Sequence, residues 1–286
     1  MKLGKDVSSN KLVAEFLKQI SSEEKELLEY FFYYLIHDSG GYVLLGSKPM
    51  SICSYLDHVV NDTHPIYFMM EAVRLRNIKI KRGFEIWQKY ASLFPIKNYL
   101  FLSEPNFLTK DIQFIFFINR KNFISKLHEH RREIMKVLGR EVTVEGIVEA
   151  ALAGKALWSD ILNGREALLG ILLGYGRNNA WNYQKITEID PIKHKPFIKI
   201  RSKPSLGFSS VEEEFEAIND KLDFFSLQDS LSEWNDLLLR LPGFRADLDD
   251  PETQELKKAY TKDYHRILRY YKGKDFLEAT LEQLIR

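Results

Sequence analysis

The chain has almost no cysteine, almost no net charge and no long apolar run. A single cysteine, Cys53, in 286 residues excludes an intramolecular disulfide framework and any site built from several thiolates. Lys and Arg total 41 against 40 Asp and Glu, a formal charge of +1. Composition therefore gives no argument for nucleic acid or for an acidic membrane surface. The longest apolar stretches, Tyr30 to Ile36 and Ile112 to Ile118, fall far short of the ~20 residues that cross a bilayer. Lys2 and Lys5 are followed by no apolar h-region, so no secretory signal is expected. A reducing compartment suits a lone thiol, and the expected location is cytoplasmic.

Apolar residues, by contrast, make up 45% of the chain, with 19 Phe and 14 Tyr. That is a globular composition with ample material for a core. Residues 9 to 36 read as helix. Ser21-Ser22 and Glu24 supply a cap, and Leu27, Leu28, Phe31, Phe32, Leu35 and Ile36 repeat at helical spacing. Gly40-Gly41 ends it, and the period then changes. Tyr42 to Leu45, Gly46 to Pro49 and Met50 to Cys53 read as strand, turn and strand, with Lys48 exposed on a tight hairpin. Tyr67 to Tyr90 reads as helix, with a possible break at Gly83.

Tyr99 to Ser103 and Ile112 to Ile118 read as strands. The four consecutive apolar residues Phe114 to Phe117 place the second of these centrally, buried on both faces. A helix over 121–138 follows, and from Thr143 the chain is helical in short pieces punctuated by Gly154, Gly164, Gly174 and Gly176. Pro196 to Pro204 alternates apolar and basic residues as an edge strand does. Ser209-Ser210 opens another helix, and Asp250-Pro251-Glu252 opens a long one. A last short helix starts at Asp275.

The expected fold is α+β and predominantly helical, with helices packed on a four- or five-stranded, mostly antiparallel sheet. It forms a single domain over 1–286, with a possible helical sub-block at 143–190.

Few motifs carry chemistry. Gly174-Tyr175-Gly176-Arg177-Asn178-Asn179 has the look of a phosphate-cradling turn at a helix N-terminus. A helix rather than a strand precedes it, and Asn179 stands where the dinucleotide fingerprint needs a small residue. The plainer reading, a glycine C-cap followed by an Asn cap, is favoured. Gly46-Ser47-Lys48-Pro49 lacks the P-loop spacing. His128-Glu129-His130 spaces its imidazoles two apart, which points them in different directions on a helix. No metal site and no cofactor are expected. Cys53 has no partner at a known spacing, and no Gly-x-Ser-x-Gly elbow exists. No catalytic residue is assigned. Charge is uneven: from Arg74 to Lys136 there are 14 Lys/Arg against 5 Asp/Glu. The favoured reading of that surplus is a solvated surface; the alternative is an anionic partner such as RNA, a phosphoinositide or an acidic protein, although no nucleic-acid signature accompanies it.

Three segments, Gly41 to Pro49, Leu169 to Asn179 and Tyr271 to Leu277, resemble in order and spacing uncharacterised proteins of chlamydiae and related intracellular bacteria. The resemblance spans the chain and implies a bacterial protein of intracellular lifestyle. It carries no activity, so no functional residue is transferred.

Two functions are expected from different classes. The favoured one is a non-enzymatic binding or interaction protein whose partner is a protein or a small anionic ligand. The alternative is an enzyme acting on a phosphorylated or carboxylated small molecule held by Lys48 and Arg177. In either case Lys48, Arg177, Asn178 and Asn179 are the candidate ligand-binding residues. Lys48 and Arg177 are expected to approach each other, because each sits in or beside a turn set by glycine.

Overall fold

The computed structural model describes residues 9–57, 67–106, 111–139, 143–189, 203–224, 239 and 242–286. Strands β1 (Met50–Leu56), β2 (Tyr99–Pro105) and β3 (Ile112–Asn119) form an antiparallel sheet in the order β1-β3-β2. The unbroken apolar run of β3 is what a central strand with two covered faces requires. Ile115 and Phe117 join one cluster with Cys53, Tyr55 and Tyr99. Phe116 and Ile118 join the other with Met50. In register, Phe116 lies between Ile52 of β1 and Leu102 of β2.

Helices cover both faces. The first cluster draws on α1 (Ser9–Gln19), α2 (Ser22–Leu35), α3 (Gly41–Leu44), α4 (Tyr67–Tyr90), α11 (Pro251–Tyr271) and α12 (Phe276–Leu284). The second draws on α5 (Arg120–Glu129), α6 (Arg131–Leu138), α7 (Val144–Leu152), the wide turn Leu157–Ile161 and α8 (Glu166–Leu172). From α8 the chain enters α9 (Arg177–Ile189). Beyond it, α10 (Val211–Lys221) leads to a separate two-stranded ribbon of β4 (Leu222–Phe224) and β5 (Arg245–Asp247). Caps legible in the sequence are present. The Ser21 hydroxyl accepts from Glu24 N at 3.1 Å, and Asp250 caps α11 with Pro251 at its first position.

The α+β, mostly helical character is as expected, but the sheet is smaller. Among the described residues it has three strands, with two more in the separate ribbon, instead of four or five together. Residues 42–45 are not a strand. The wide turn Ile36–Gly40, with Ser39 at φ 70°, runs into α3, whose backbone closes as Leu45 N to Gly41 O at 2.9 Å. Tyr42, Val43 and Leu44 are all buried. A four-residue apolar run fits a buried helical turn as well as a buried strand, so periodicity alone does not separate them. The expected helix over 121–138 is divided at His130 into α5 and α6. The expected edge strand from Pro196 lies, apart from its last two residues, outside the described residues.

Gly83 does not break α4; it lets α4 lie against α2. A Cβ there would stand 2.3 Å from Leu27 O and 2.6 Å from Phe31 Cβ. Gly83→Ala is expected to destabilise by about 1–3 kcal/mol through overpacking, outweighing alanine's better helix propensity. Urea unfolding checks this, and a variant at least as stable as the wild type contradicts it.

Candidate functional site

Gly174 and Gly176 hold φ values of 75° and 88°, left-handed backbone that ends α8 and redirects the chain into α9. The turn they form packs on the Lys48 turn. A Cβ at Gly174 would meet the Tyr260 hydroxyl at 2.7 Å, Pro49 Cδ at 3.0 Å and Lys48 Cγ at 3.7 Å. The two conspicuous turns of the sequence therefore lie together, but their basic side chains go opposite ways.

Lys48 turns inward and is only 1% exposed, where the sequence reading placed it on a solvated hairpin. Its Nζ donates to Leu173 O, and it stands 4.5 Å and 5.8 Å from the ring centroids of Tyr175 and Tyr260. Burial pulls its pKa down to about 7, with the Asp38 charge pulling the other way. The surrounding turn is fixed by Ser47, whose N and Oγ both donate to Asp263 Oδ2 at 2.7 Å. The Tyr260 hydroxyl donates to Gly174 O at 2.5 Å. Lys48 thus ties the end of α8 to the start of β1.

Arg177 turns outward, with its side chain 52% exposed. Its Nε donates to Glu133 Oε2 at 3.1 Å and its Nη2 lies 2.9 Å from Glu133 Oε1, a two-pronged fork between α9 and α6. Trp181 Nε1 donates to the same carboxylate at 2.7 Å. His130 Nδ1 stands 3.4 Å from it. Burial works to raise the Glu133 carboxyl. The Arg177 guanidinium, the Trp181 N–H and His130 outweigh burial and hold it below the usual range.

The first amides of α9 are occupied from within the protein. Arg177 N and Asn178 N donate to the two Glu252 carboxylate oxygens at 2.8 and 3.1 Å. The cap expected from an asparagine is supplied by a carboxylate on α11. Asn178 Nδ2 donates to Asp250 Oδ2 at 2.8 Å. Asn179 is buried. It donates to Tyr175 O and Thr253 Oγ1 and accepts from Asp247 N, which joins α9 to α11 and β5. Of the four residues singled out from the sequence, Arg177 and Asn178 face solvent, whereas Lys48 and Asn179 hold the interior.

Two adjoining open grooves share Glu133 and Arg177. One, of about 600 Å³, is lined by Lys136, Val137, Asn178, Trp181, Lys185 and Asp250 among others. The second, of about 760 Å³, runs along His128 to Arg132 and Met135. Their acidic groups are engaged: Glu129 with Lys126 and His130, Glu133 with Arg177, and Asp250 with Asn178 and the Glu252 amide. Arg131, Arg132, Lys136 and Lys185 have no ion-pair partner among the described residues.

The sequence reading missed Glu133, Trp181 and Lys185. For Trp181 and Lys185 the signal is the spacing of four that puts them with Arg177 on one stripe of α9. Trp181 also packs against Ala167, Ile171 and Ala180, which fixes its ring at the groove wall.

Cys53 is buried, and burial pushes its thiol above the usual range, away from the nucleophilic thiolate. Among the described residues, no helix is long and apolar enough to cross a membrane. The chain matches no family model, no curated protein and no solved structure.

Proposed function

We propose that the protein is a cytoplasmic, non-enzymatic binding protein that recognises an anionic partner along the α6–α9 surface. The observation that carries this reading is the position of Arg177 in the wall of both grooves, flanked by four cations without ion-pair partners among the described residues. Unneutralised charges of one sign around a concave surface attract the opposite charge and speed its encounter. The grooves are open and adjoining, a shape that suits an extended segment better than an enclosed small molecule. Less supports an enzyme whose phosphorylated or carboxylated substrate is held by Lys48 and Arg177 together. Lys48 Nζ is engaged with Leu173 O in the interior and lines neither groove.

The test is fluorescence anisotropy with three labelled probes: a hexaglutamate peptide, a single-stranded oligonucleotide and a tetralysine control. The wild type is expected to bind at least one anionic probe, more weakly as salt rises, and to ignore tetralysine. Reversing three cations together (Arg131→Glu, Lys136→Glu, Lys185→Glu) is expected to weaken binding at least ~tenfold while the melting temperature holds, since exposed charges contribute little to stability. Failure of the wild type to bind either anion, or equal binding by the reversed variant, overturns the reading.

A further inference from the structure

Resting on that reading, we propose that the partner is an acidic polypeptide segment, and that one of its carboxylates takes the place Glu133 now occupies on Arg177. The donors around Glu133 form a carboxylate site already filled from within. The planar fork of Arg177 supplies Nε at 3.1 Å and Nη2 at 2.9 Å. Trp181 adds an N–H at 2.7 Å and His130 approaches at 3.4 Å. A guanidinium fork matches two oxygens of a carboxylate or a phosphate, whereas an ammonium acts as a point charge; the group that the fork, the Trp181 N–H and His130 now hold together is a carboxylate. Trp181 is held by its packing on α8 and α9, so its N–H stays in position after Glu133 leaves.

Access comes from both sides, because Glu133 and Arg177 belong to both grooves. A segment lying along them sets further carboxylates against Arg131 and Arg132 at one end and Lys136 and Lys185 at the other. The opposing groups are few and already engaged, as described for Glu129 and Asp250. Glu133 is then an internal competitor that a partner carboxylate displaces. The exchange preserves charge, one carboxylate for another, and frees Glu133 to water.

The test compares full-length variants on hexaglutamate and on an oligonucleotide of equal charge. Glu133→Ala is expected to bind hexaglutamate about fivefold more tightly than the wild type, since it removes the internal carboxylate that competes for the Arg177 fork. Glu133→Gln, which keeps the shape but not the charge, is expected to fall between them. Arg177→Lys, which keeps the charge but not the fork, is expected to lose hexaglutamate affinity about fivefold. Because Trp181 lies beside the exchanged carboxylate, hexaglutamate is expected to change the wild-type indole emission and to leave that of Trp181→Phe unchanged.

Weaker or equal peptide binding by Glu133→Ala overturns the inference. So does tighter binding of the oligonucleotide than of the peptide by the wild type, or unchanged peptide binding by Arg177→Lys. These failures are distinct from failure of the binding reading itself, in which charge reversal leaves every probe unaffected.

Discussion

Truncating Phe116 to alanine is expected to lower the stability of the protein by about 3–5 kcal/mol, the range for a buried phenylalanine whose cavity only partly collapses. Phe116 is fully buried in the middle of the central strand, between Ile52 and Leu102 in register. Its ring projects into the cluster that holds α5 to α8 against the sheet, with Phe114 at 6.3 Å between ring centroids. A domain typically has about 5–15 kcal/mol in total, so the loss is a large fraction of what is available. Urea unfolding measures it. Leu206→Ala, at a fully exposed leucine, is the control and should fall within about 0.5 kcal/mol of the wild type. An unchanged midpoint for Phe116→Ala would show that the second face of the sheet is not packed as described.

Lys48→Met is expected to remove a pH dependence from the stability. Lys48 titrates near 10.5 when solvated and is drawn down to about 7 in the folded protein by burial. Between those values the unfolded chain holds a proton that the folded one does not. The wild type therefore gains stability as pH rises from about 7 toward 10.5, and loses it as pH falls through that window. Below about pH 7 both states are protonated and the dependence from this residue ends. At about 1.4 kcal/mol per pH unit, the difference between wild type and Lys48→Met changes by roughly 3 kcal/mol from pH 7 to pH 9.5, in the wild type's favour at the higher pH.

Methionine keeps most of the apolar stem, so packing changes little, but Leu173 O loses its donor at every pH. That loss offsets the variant vertically without altering the slope. Tyr42, Tyr175 and Tyr260 are pushed above the usual phenol range chiefly by burial, so they lower stability only as pH climbs through 10, outside the window measured. Parallel curves for the two proteins from pH 7 to 9.5 would mean that the Lys48 amine is solvated.

The strand β3 was legible because the unbroken apolar run of five residues from Phe114 to Ile118 leaves no solvent face. The long helix α11 was legible because Asp250, Pro251 and Glu252 each have a local reason to stand where they do. Residues 41–48 were not legible. The conformation there is decided by burial of Tyr42, Val43 and Leu44, and by a bond from Lys48 to a carbonyl 125 residues away. The same division runs through the site. Arg177 and Asn178 stood out because glycines precede them. Glu252, which occupies the α9 amides, lies 75 residues from Arg177, and Glu133 lies 44 residues from it. Pairings at such separations belong to the tertiary fold and leave no trace in local spacing. The one trace that did exist, Arg177, Trp181 and Lys185 at intervals of four, follows the glycine turn and reads as an ordinary helix face until α6 is set beside it.

Hydrogen exchange of the full chain with and without hexaglutamate tests the central claim most directly, because it locates the bound anion instead of inferring it from variants. The account predicts added protection confined to two stretches, residues 128–138 and 177–185, with α1 and α12 unchanged. Protection elsewhere, or none at a peptide concentration that saturates the anisotropy signal, would contradict it.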